Sequence, residues 1–184
     1  MMGAMRGLLI IDIQRDYFPG GAFPLVEPEA AAEAARRALD RFRDSGAPVI
    51  HLQHIWDSPD APFFRKGTEG TEIHPLLAPS EGETLITKDE PNGFLGTDLE
   101  EKLRAGGIDE VVVAGMMSSM CVDATVRAGA DLGFGMTVIH DGCAAPNLEF
   151  GGTSVPGQSV HAAFMAALGS GYATLVGSED VRAA

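Results

Sequence analysis

Two hydrophobic periods alternate along the chain. Short unbroken apolar runs read as strands buried on both faces: GLLIID (Gly7–Asp12), APVIHLQHI (Ala47–Ile55), TLIT (Thr84–Thr87), EVVVAG (Glu110–Gly115), MTVIHD (Met136–Asp141) and YATLV (Tyr172–Val176). Between them lie segments with helical spacing. The Ala-rich stretch Pro28–Asp44 ends at Gly46, Thr97–Gly107 ends on a glycine pair, Ser119–Leu132 follows the fourth strand, and VPGQSVHAAFMAAL forms the last helix. Strands separated by helices predict an α/β fold, a doubly wound and mostly parallel six-stranded sheet with helices on both faces. No linker or internal repeat divides residues 1–184, so a single domain is expected.

Composition narrows the function. With 13 Lys plus Arg against 26 Asp plus Glu the net charge is −13, and no basic stripe suits a nucleic-acid or anionic-membrane partner. No apolar run reaches the ~18 residues of a membrane span. An acid interrupts LLIID after a few residues, too soon for an export signal. Two cysteines are too few for a disulfide framework, so both are expected as reduced thiols in the cytoplasm.

Doubly wound sheets place their sites beyond the carboxyl ends of the strands. Here those ends carry Asp12, Lys88 and the segment Gly115-Met-Met-Ser-Ser-Met-Cys121. A thiol at the start of a helix, beside an ammonium, is expected to favour the thiolate, and a neighbouring carboxylate can take and return its proton. Taken singly, each residue has a plainer reading. Cys121 could be a small buried hydrophobe, Asp12 a cap and Lys88 a solvated charge. Their convergence on one sheet edge favours a nucleophilic site.

The segments LLIIDIQRDYF, ITKDEPNGFLGTDL and VVVAGMMSSMCVDATVRAGADLGF, in that order, resemble the isochorismatase-like cysteine hydrolases from about Gly7 to Val176. That superfamily includes nicotinamidases and N-carbamoylsarcosine amidases. The resemblance implies a sheet of order 3-2-1-4-5-6 and an Asp12–Lys88–Cys121 triad. It also implies a cis peptide bond between Met116 and Met117, and an oxyanion hole from the N–H groups of Met117 and Cys121. The implied reaction is attack by Cys121 on a small amide or carbamoyl carbonyl, loss of ammonia or an amine, and hydrolysis of the thioester. Vinyl-ether hydrolysis of the isochorismatase type is an alternative, and so is a non-catalytic small-molecule-binding protein. A homo-oligomer, at least a dimer, is implied as well.

Nicotinamidase-type members carry a metal on an Asp and several His after the second strand, opening D-x-H. Here Asp57 is followed by Ser58 and Pro59, and His51 and His54 lie an odd number of residues apart in a strand, on opposite faces. No metal and no cofactor are therefore expected. Candidate pocket residues are Gln14, which could orient Asp12, and Phe18, His54, Trp56, Phe63, Phe64, Phe94 and Met117. The Trp56–Glu83 stretch is a candidate substrate loop. His74, His140, His161 and Cys143 read most simply as structural.

Overall fold

A computed structural model describes residues 5–183. Six parallel strands form its central sheet: β1 (Met5–Ile11), β2 (Val49–His54), β3 (Thr84–Lys88), β4 (Ile108–Met116), β5 (Gly135–Ala144) and, last in the chain, β8 (Thr174–Val176). Their order is β3-β2-β1-β4-β5-β8, the arrangement expected from the resemblance. Two short strands, β6 (Leu148–Phe150) and β7 (Thr153–Val155), pair antiparallel as a separate hairpin. The hydrophobic pattern predicts no strands for this hairpin. Its strands are short and exposed, so no apolar run marks them, and Gly151 and Gly152 supply the turn with φ of 57° and 78°.

Side-chain alternation along each strand feeds two separate cores. Leu8 and Ile10 of β1 face α1 (Pro28–Ser45), where Ala31, Ala32, Ala35, Ala38, Leu39 and Phe42 are buried. The small alanines let the helix lie close against the sheet, and Gly46, at φ 70°, ends it in a left-handed cap. Leu9 and Ile11 point the other way, toward α2 (Leu99–Ala105), α3 (Asp123–Asp131) and α4 (Gly157–Gly169), against Leu103, Val126 and Leu168. Both faces of the sheet are thus covered, which is why its strands read as continuous apolar runs.

The long Trp56–Glu83 stretch is tied down at several points. Trp56 N–H donates to the Phe64 carbonyl, and Lys66 N–H donates to that of Trp56. Two 3-10 turns, Glu69–Thr71 and Pro75–Leu77, follow. The buried carboxylate of Asp16 fastens the stretch to the loop after β1, accepting from the N–H of Phe64 at 2.6 Å and of Ala22 at 3.0 Å. Among the described residues no helix is long and apolar enough to cross a membrane.

Candidate active site

Parallel register brings the ends of three strands to one place. Asp12 directly follows β1 with φ 50°, a left-handed conformation that Asp tolerates better than most residues. Lys88 is the last residue of β3. Cys121 sits in a single π-helical turn, Ser118–Val122, that leads from β4 into α3. The peptide bond between Met116 and Met117 is cis.

Lys88 is central to the arrangement. Its Nζ stands 2.7 Å from Asp12 Oδ2, 3.1 Å from His54 Nδ1, 3.0 Å from the Glu90 carbonyl and 3.4 Å from Cys121 Sγ. All four side chains are buried, Asp12 completely and Cys121 to 3% exposure. The carboxylate and the ammonium attract across a short gap, yet neither Asp12 oxygen accepts a well-aligned hydrogen bond. Asp12 therefore keeps lone pairs for another proton.

The electrostatics correct one expectation. Burial, and then the Asp12 carboxylate, push the Cys121 thiol well above its ordinary value, although Lys88 pulls the other way. Both effects disfavour the thiolate in the resting site. Desolvation, which residue order along a chain does not reveal, outweighs the ammonium and the helix start. Burial also opposes the Lys88 charge, but the Asp12 carboxylate overcomes it and raises that pKa. His54 is held neutral by burial and by the Lys88 charge.

Other residues singled out in the sequence take varied places. Gln14 does not orient Asp12. Its amide is a buried clamp that donates to the carbonyls of His54 and Thr71 and accepts from the His54 N–H, all at 2.8–2.9 Å. Phe18 stacks on His74 with ring centroids 4.1 Å apart. Phe64 is fully buried between Tyr17 and His54, and so belongs to the core as well as to the site's wall. Trp56 packs edge-on against His54, and Phe63 packs on Trp56. Phe94 stacks instead on Phe134.

His51 points away to Glu83 at 2.8 Å, while His161 bonds the Ser118 hydroxyl at 2.8 Å, next to the cis peptide. Cys143 is a buried free thiol, pushed up to about 12 by burial. Tyr17 went unnoticed in the sequence. It is fully buried, its hydroxyl has no partner among the described residues, and burial and the Asp12 charge raise its pKa.

Asp12, His54 and Cys121 offer metal-ligand atoms within 4.8 Å of one another. The Lys88 ammonium already stands among these three donors, at 2.7, 3.1 and 3.4 Å. A divalent ion there would meet that charge at close range, so the donor set does not suit a resident metal.

Comparison with known proteins places this geometry. Residues 6–180 match the isochorismatase domain model. The isochorismatase family protein YddQ of Bacillus subtilis is 50% identical over 172 residues, 94% of this chain and 96% of the relative. The maleamate amidohydrolase of Pseudomonas putida is 31% identical over 154 residues, 76% of this chain and 72% of that enzyme. Among solved structures, an isochorismatase-type protein from Oleispira antarctica superposes with a TM-score of 0.94 at 43% identity, covering 98% of this chain and 97% of its own. The chain belongs to the isochorismatase family of hydrolases.

Proposed function

We propose that the protein hydrolyses a small amide or carbamoyl compound through a thioester on Cys121, with Asp12 and Lys88 completing the triad and no metal taking part. The observation that carries this reading is the buried contact of three groups: the Cys121 thiol 3.4 Å from the Lys88 ammonium, itself 2.7 Å from the Asp12 carboxylate. Because the thiol rests protonated, attack on the carbonyl is coupled to transfer of its proton to Asp12. Lys88 offsets the negative charge that develops on the sulfur. The N–H groups of Met117 and Cys121 receive the oxyanion, the amine leaves with the Asp12 proton, and water hydrolyses the thioester. The likeness to a maleamate amidohydrolase supports amide chemistry.

A reduced, cytoplasmic setting suits two buried free thiols. Homo-oligomerisation is supported by Phe150, 87% exposed on the β6–β7 hairpin, and by α4, which carries no charged residue. Sedimentation velocity at micromolar concentration tests this, and a monomer would overturn it.

Ammonia release is the test of the activity. A panel of small primary amides, carbamoyl compounds and nicotinamide would be presented to the wild type and to Cys121→Ala, with chelator throughout. Turnover by the wild type that vanishes in the variant is the expected result. Turnover that survives in Cys121→Ala, or that chelator abolishes, overturns the mechanism.

A further inference from the structure

Five buried side-chain polar atoms among the described residues make no well-aligned hydrogen bond: both oxygens of Asp12, of which Oδ2 is ion-paired with Lys88 at 2.7 Å, Tyr17 Oη, His54 Nε2 and His51 Nδ1. Only the last belongs to a residue directed elsewhere, toward Glu83. An unsatisfied buried polar atom is costly, and native proteins keep such atoms where another molecule completes them. The catalytic reading gives Asp12 its task. It gives none to His54.

The tautomer of His54 follows from its neighbours. Nδ1 faces the Lys88 ammonium at 3.1 Å, and an ammonium has only donors to offer. Nδ1 must therefore accept, and the single proton of the neutral ring resides on Nε2. The other charged or titratable groups near the ring are Asp12, with Oδ2 3.9 Å from Nδ1, Cys121 Sγ, also at 3.9 Å, and Asp89. The Asp89 backbone also acts on a ring N–H, though outside hydrogen-bonding geometry of Nε2. Neither 3.9 Å contact provides a hydrogen bond strong enough to reverse this assignment. The ring is fixed from outside as well: Gln14 grips the His54 backbone at both its N–H and its carbonyl, and Trp56 and Phe64 enclose the imidazole. So elaborate a fixture for a neutral ring with one idle donor calls for a purpose.

The geometry points to His54 as a positioning residue of the reaction, its Nδ1 holding the Lys88 ammonium against Cys121 and its Nε2–H serving as the donor that an acceptor group of the substrate completes. This rests on the proposed amide hydrolysis for its catalytic meaning. The tautomer and the hold on Lys88 do not, and they can be tested without a substrate.

Long-range proton–nitrogen NMR of the histidine side chains, with His54 assigned by its loss in His54→Asn, should show a neutral Nε2–H tautomer that does not titrate between pH 5 and 9. An Nδ1–H tautomer, or protonation near pH 6.5, overturns the assignment. Alkylation of Cys121 by iodoacetamide then reads the hold on Lys88. In His54→Leu the rising rate profile should move to higher pH, read as a slower rate at every pH from 7 to 10. In His54→Asn, whose amide oxygen can replace Nδ1 as acceptor, it should return to the wild-type position. An unchanged profile in the Leu variant, or no rescue by Asn, refutes the role.

Melting curves establish that both variants are folded, and the wild-type NMR result stands whatever they show. With an amide that turns over, His54→Asn should raise KM by roughly tenfold while kcat changes less, because only the Nε2 donor is gone. A kcat loss at unchanged KM would overturn the substrate contact. If no amide is hydrolysed at all, the proposed activity fails, while the NMR and alkylation results still decide the place of His54.

Discussion

Lys88→Met tests the energetics of the site more severely than any change to Cys121. Methionine fills much of the same volume but removes the ammonium from a pair whose side chains are both 0% exposed. Asp12 is then left as a buried carboxylate without a counter-charge, a loss worth about 3–5 kcal/mol. In a chain of 184 residues each kcal/mol shifts Tm by roughly 2–4 °C, so a fall of about 6–20 °C is expected.

Urea denaturation at pH 7 measures the full effect. Lys88 has a raised folded pKa, so its contribution is complete below the unfolded value of about 10.4 and is lost only as pH rises through the higher folded value. Asn at position 12 keeps the shape and tolerates the left-handed backbone. The double variant Asp12→Asn/Lys88→Met should therefore recover a large part of the loss, since no buried charge is left alone. A cost below about 1 kcal/mol for Lys88→Met, or a double variant as unstable as the sum of the singles, would refute a desolvated ion pair.

Other outcomes follow from the same structure. Alkylation of Cys121 by iodoacetamide should climb with pH from 7 to 10 without levelling, because the thiol is raised by burial and Asp12; a plateau below pH 8 would contradict that. Asp12→Asn should lower kcat/KM by about 100- to 10,000-fold in the ammonia-release assay, the range for losing a general base, with a smaller loss arguing for another proton acceptor. Gln14→Leu should cost about 2–4 kcal/mol in denaturant, since it strands backbone groups of His54 and Thr71.

Glu83 is drawn down to about 2 despite burial, through hydrogen bonds from Arg43, the Ser80 N–H and His51. A depressed carboxylate stabilises above its unfolded pKa of about 4.3 and loses that contribution as pH falls through the folded value. Wild type and Glu83→Gln should thus differ in stability at pH 6, by on the order of 3 kcal/mol at most, and converge near pH 2. A gap that persists there would remove Glu83 as its source.

The sheet was largely legible because strands covered on both faces must be apolar throughout, and LLII and VVV announce them. Strand ends were legible for the same reason: the first charged residues after such runs, Asp12 and Lys88, mark the carboxyl edge. Burial was not. The sequence placed Cys121 beside a cation and so anticipated a thiolate, whereas the cost of desolvating a charge depends on what the remaining elements cover. Gln14 and His54 show a related limit. They lie 40 residues apart, and a side-chain-to-backbone clamp leaves no periodic trace. The π-helical turn and the β6–β7 hairpin are likewise too short for hydrophobic spacing to register.

The burial of Cys121, and the upward push on its thiol, also bear on oxidative damage. Peroxides attack the thiolate, and each step toward sulfenic and sulfinic acid begins with an exposed, ionised sulfur. At 3% exposure and with burial disfavouring the thiolate, this sulfur presents little to a diffusing oxidant. On the proposed mechanism a substrate that fits escapes that protection, since it arrives aligned with the carboxylate of Asp12 that takes the proton. On the proposed mechanism, Cys121 is thereby expected to be oxidised more slowly by peroxide than a cysteine held as an open thiolate.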